Sequence, residues 1–213
     1  MKHLTLIILI STFSISLNSQ TLESDTLLAG QYMKQGEKFF ADYKLEDAFT
    51  KFEKAGRIYA NYNLIDLILK CDLEKAGILI EKNELNEALA ILNSGMESIK
   101  STVGENTVLY IDYSVKKGLV YLYAGKYIEA KDIWIKTLIN AKKVYGSEHL
   151  RVSDINTNIG GLYSATGEYF KALKLFQTAL SIREKHLSGD DFKIANSLMN
   201  IGHMYEKIGN TDL

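Results

Sequence analysis

The sequence predicts an all-α fold, a solenoid of paired helices, and three observations predict it. Small residues recur at Gly36, Ala76, Gly118, Gly160 and Gly202, and alanine recurs at Ala48, Ala88, Ala130 and Ala172, each series stepping by 40 and then by 42 positions. A period near 42 is too short for a globular domain and long enough for two helices with their turns. Within each half-period, apolar or small residues return every three or four positions, the spacing of one helical face. Proline is absent from all 213 residues, so the turns fall to Gly, Asn, Ser and Asp. The net charge of −1 gives no electrostatic reason to expect nucleic acid or an anionic membrane as a partner.

Residues 1–20 stand apart. Met1-Lys2-His3 opens a weakly positive start, Leu4 to Leu17 is mostly Leu, Ile and Phe, and polar Asn18-Ser19-Gln20 follows. The apolar run is too short to span a bilayer comfortably, so it reads as a signal peptide, with an uncleaved N-terminal anchor as the alternative. The expected location is therefore exported: periplasmic or extracellular. The lone Cys71 cannot form an internal disulfide, and it reads as a small, partly buried helix residue.

The solenoid is expected over 26–213, in repeats of about 26–62, 64–104, 107–146 and 149–188, with the first helix of a fifth at 191–213. Three positions after the small column stand Phe39, Leu79, Tyr121, Tyr163 and Tyr205; four after the alanine column stand Phe52, Leu92, Trp134 and Phe176. Between the two helices of a repeat, Gly125, Gly167 and Gly209 suit a left-handed cap, and Asn83 tolerates the same backbone. Tyr43 holds that place in the first repeat, so a different turn geometry is expected there. Longer polar connections begin at Gly104, Gly146 and Ser188. The small columns Gly36, Ala48, Ala76, Ala88, Gly118, Ala130, Gly160, Ala172 and Gly202 mark close helix crossings, where a large side chain would hold the backbones apart. The fifth repeat has Gly202, Tyr205 and Gly209 but no second helix, and the chain is expected to be the N-terminal part of a longer protein.

The columns resemble the tetratricopeptide repeat. The fourth repeat carries the pattern almost whole, through Gly160, Tyr163, Gly167, Tyr169, Ala172, Phe176 and Ala179. The usual unit of that family is 34 residues, and a 42-residue period is similar to the long variant in kinesin light chains and their bacterial relatives. The resemblance implies a right-handed α-α superhelix whose first helices line a concave groove. It also points to candidate binding residues there: Met33, Phe40, Leu73, Ile80, Leu119, Leu122, Tyr123 and Thr157. Some relatives clamp a C-terminal carboxylate with Lys and Asn at two groove positions. Here those columns read Met33, Leu73, Val115, Thr157, Met199 and Glu37, Gly77, Leu119, Gly161, His203, so that ligand class is not expected. The family's proline after the second helix is missing throughout.

No catalytic constellation is present, and no enzyme activity, cofactor or metal is expected. Gly125-Lys126 lacks the upstream glycine and the following Ser or Thr of a phosphate loop. His3, His149, His186 and His203 form no pair at metal-ligand spacing. Acidic pairs such as Asp190-Asp191 sit at helix starts, where the helix dipole favours them. The expected function is non-catalytic binding of a protein or peptide by the concave face. Two alternatives are a recruitment or sensor arm of a larger protein, as in exported relatives with a CHAT-type peptidase or membrane signalling module, and a self-assembling array.

Overall fold

The computed structural model describes the backbone of residues 2–211 and the side chains of residues 21–209, and the secondary structure within them is entirely helical. The expected leader at 1–20 lies outside the described side chains. The helices are α1 (Lys2–Ala41), α2 (Leu45–Asn61), α3 (Ile65–Glu81), α4 (Leu85–Thr102), α5 (Val108–Tyr123), α6 (Tyr127–Tyr145), α7 (Leu150–Ala165), α8 (Tyr169–His186) and α9 (Phe192–Thr211). They form two compact bodies, Met1–Lys82 and Asn83–Leu213.

The tight turns share one construction. Gly125 and Gly167 are left-handed (φ 71° and 79°). After α5, the Lys126 amide donates to the Tyr121 carbonyl at 2.8 Å and the Gly125 amide to Leu122 at 3.0 Å. After α7, Glu168 donates to Tyr163 and Gly167 to Ser164 in the same way. This pair of bonds satisfies carbonyls that the helix end leaves without partners. Asn63 and Asn83 adopt the same backbone. The expectation for Tyr43 is corrected: its φ is 57°, and Lys44 donates to Phe39 at 2.8 Å while Tyr43 donates to Phe40 at 3.0 Å. The bonds and the packing of the flanking helices impose the left-handed residue even where its Cβ opposes it.

In the first body α1, α2 and α3 pack in sequence, each against the next. Gly36 lies under the Phe52 ring, where an added Cβ would stand 2.8 Å from the ring carbons. Ala48, Phe52 and Ile78 form one core cluster, and Ala29, Ala55, Tyr59 and Cys71 form another. Cys71 is fully buried, its Sγ 3.3 Å from Met33 Sδ, and burial pushes its thiol pKa up to about 12.

In the second body each helix from α4 to α9 packs chiefly on the next one in the chain. Gly118 lies under Trp134 and Gly160 under Phe176, repeating the contact of Gly36 with Phe52. A further crossing, not expected from the small columns, lays Tyr113 over Gly95 and joins α5 to the helix before it. Trp134 has no exposed surface, and its indole N–H donates to the Val115 carbonyl at 3.1 Å. Ala48, Ala76, Ala88, Ala130 and Ala172 are all fully buried. Gly202 departs from its column. It is exposed, and an added Cβ would meet nothing within 4 Å, because no described helix lays an aromatic across it.

The long connections are capped by side chains. The Thr107 hydroxyl accepts from Tyr110 N at the start of α5, His149 Nδ1 accepts from Arg151 N, and Asp191 accepts from Lys193 N. His149 also stacks on Tyr145, with ring centroids 4.6 Å apart.

Candidate binding surfaces

Two surfaces of the second body follow from helical periodicity. On α5, Val115, Leu119, Leu122 and Tyr123 share one face, and Tyr110, Ser114, Lys117 and Tyr121 share the opposite one. The corresponding positions of α7 and α9 extend both surfaces by one repeat at a time.

The first surface holds the candidates read from sequence. Leu119 and Leu122 are half-buried against the core cluster built on Trp134, whereas Tyr123 is 59% exposed. Thr157 is half-buried and donates to the Ser153 carbonyl at 3.0 Å. Met199 on α9 is 65% exposed. Several charges on this side are paired. Arg151 pairs with Asp112, and Asp154 accepts from Arg183 at 2.9 Å and from Lys193 at 3.4 Å. Arg183 is buried and also donates to Ser197 Oγ at 2.7 Å, so it locks α8 to α7 and α9. In the first body, Met33 and Phe40 are half-buried against the core clusters, and Leu73 and Ile80 are buried. Helix α3 is apolar around most of its circumference, so these two side chains are not available as contact surface.

The opposite surface was not among the sequence-predicted sites. The position four residues before each small residue reads Tyr32, Asp72, Ser114, Asn156 and Leu198. At Ser114 and Asn156 the side chain is short, and a cleft opens above it between the flanking helices. The first cleft, about 400 Å³, is floored by Ser114 and Lys117 of α5 and walled by α6, with Met96 of α4 at its edge. Burial lowers the Lys117 pKa, and no carboxylate of the described residues pairs with it. Glu105 also lines this cleft; its bond to Lys100, 2.7 Å long, holds its carboxyl below the usual range. The second cleft, about 500 Å³, is floored by Val152 and Asn156 of α7 and walled by α6 and α8. Ser114 and Asn156, one period apart and each followed four residues later by the small residue, were the signal available in the sequence.

Among the described residues, no group of His, Cys, Asp and Glu side chains gathers as a metal site. No helix is long and apolar enough to cross a membrane, again among the described residues.

The tetratricopeptide repeat model matches residues 107–185 and 151–213, together half of the chain. No curated protein matches by sequence. Among solved structures, the chain is similar to BtubC (BKLC) from P. vanneervenii, with 14% identity, a TM-score of 0.65, and 88% of this chain and 84% of that one covered. It is also similar to a kinesin light chain candidate from Podosopora anserina with nearly identical TPR-like repeats (17% identity, TM-score 0.68, 87% and 89% covered). A Rap protein complexed with competence and sporulation factor gives 15% identity and a TM-score of 0.73; 87% of this chain aligns with 50% of that protein. At these identities the likeness is one of fold. The repeat model and the α-helical architecture agree, and the chain belongs to the tetratricopeptide repeat family.

Proposed function

We propose that the chain is a non-catalytic scaffold that binds a protein or peptide segment on the face formed by α5, α7 and α9. The observation that carries this reading is the exposure of Tyr123 and Met199 on first helices of successive repeats, beside the paired acids Asp112 and Asp154. Exposed aromatic and methionine side chains on a rigid helical face are the usual anchors of such contacts. The Rap relative, by its name, is complexed with competence and sporulation factor, which supports the same use of the fold. The apolar start of the chain supports an exported location. Panning a random peptide library against the full chain tests the reading. Peptides selected on the parent should lose at least ten-fold in affinity for Tyr123→Glu/Met199→Glu; unchanged affinity refutes this face.

A second reading, association through α9, is favoured by the open notch at Gly202 beside exposed Leu198 and Tyr205. Light scattering tests it: a mass well above 24.0 kDa supports association, and a monomer at high concentration refutes it.

A further inference from the structure

The cleft between α6, α7 and α8 lies on the side opposite to the proposed binding face, and three observations describe what it would hold. Asn156 at its floor is 2% exposed, yet its side chain neither donates nor accepts a hydrogen bond among the described residues. Its amide atoms are not among the fully buried groups left without a partner, so the amide opens onto the cleft, where an entering group can meet it. The walls carry Lys142 of α6 and Lys174 and Lys185 of α8, against one carboxylate, Glu148. Glu148 is bonded to Lys185, which holds its carboxyl below the usual range, so two cations on facing walls remain uncompensated. The lining also runs along α8 from Lys174 to Lys185. At about 1.5 Å per helical residue this is about 16 Å, the length of about five extended residues.

We propose that this cleft is a second binding site, for an extended acidic peptide segment whose carboxylates meet Lys142 and Lys174 and whose backbone amide meets Asn156. An amide side chain offers one donor group and one acceptor, the complement of a peptide group. The neighbouring α4–α5–α6 cleft would not accept the same ligand. Glu105, Glu129 and Asp132 line it beside Lys117 and Lys136, and like charge repels an acidic segment. Of these two clefts, the acidic segment fits only the one between α6, α7 and α8.

The test uses the full chain and hexaglutamate as the probe, followed by fluorescence anisotropy at low salt and by amide chemical shifts. Hexaglutamate should bind saturably and hexalysine should not, with shifts centred on Lys142, Asn156 and Ser181. Lys142→Glu/Lys174→Glu should weaken binding at least ten-fold, and Asn156→Ala three-fold or more, with melting temperatures unchanged. Tyr123→Glu/Met199→Glu should leave hexaglutamate binding intact, which separates this site from the face proposed above. The proposal is overturned by equal binding to parent and lysine variant, or by shifts confined to α5, α7 and α9. Complete displacement by inorganic phosphate at matched ionic strength would also overturn it, as would tighter binding of a single-stranded oligonucleotide of equal charge.

Discussion

Replacing Gly118 with alanine is the sharpest test of how the helices cross. An added Cβ would stand within 3.0 Å of Trp134 ring atoms, closer than real Cβ contacts come. Trp134 cannot swing away, because it is fully buried and its indole N–H is committed to Val115. Overpacking of this kind costs about 1–3 kcal/mol. Displacing the ring weakens a buried hydrogen bond worth about 1 kcal/mol. Against this, alanine in place of glycine within a helix gains about 1 kcal/mol. The net expectation is a loss of about 1–3 kcal/mol. At about 2–4 °C per kcal/mol for a chain of this size, the melting temperature should fall by about 3–10 °C. Gly161→Ala supplies the control: it lies in α7, a Cβ there meets nothing within 4 Å, and only the helix-forming gain applies, a rise of about 2–4 °C. Calorimetry of both variants decides the matter. If Gly118→Ala melts at or above the parent, Trp134 does not hold the crossing.

Four further outcomes follow from the same packing. Tyr43→Gly should stabilise the chain by about 0.5–1 kcal/mol in a denaturant titration, since it relieves a left-handed residue whose side chain is largely exposed. Cys71 should resist a thiol reagent at pH 8 until the chain is unfolded, and rapid labelling of the native protein would contradict its burial. The folded state keeps the Cys71 proton while the unfolded thiol loses it near its ordinary value of 9.0. Stability should therefore fall as pH rises from about 9 toward about 12, as read by melts across that window. Arg183→Ala should cost about 2 kcal/mol, because buried Ser197 loses its charged partner while the partly exposed Asp154 keeps only Lys193; a melt overlaying the parent would show that the pair is dispensable.

The crossings were legible because they are columns. Gly36, Gly118 and Gly160 each meet an aromatic sixteen residues later, and both members stand out once the chain is aligned on its period. The turn at Tyr43 was not legible, because residue preference reports the cost of a left-handed backbone and not the packing that imposes it. Leu73 and Ile80 show the same limit: their positions follow the repeat, but their burial depends on what surrounds α3. The clefts were the hardest to see. Ser114 and Asn156 look like ordinary polar helix residues, and only the spacing of α4, α6 and α8 shows that nothing fills the space above them.

In the second body, packing runs from each helix chiefly to the next one along the chain, and this bears on how the body comes apart. With few long-range contacts to break at once, opening can begin at one helix and travel like a zip, each step releasing about one interface. Amide exchange should then be graded along the chain, slowest around Trp134 in α6 and fastest in α9, without a single all-or-none rate. A segment lying across α6 and α8 would join helices that pack chiefly on α7 between them, and would protect that stretch from exchange.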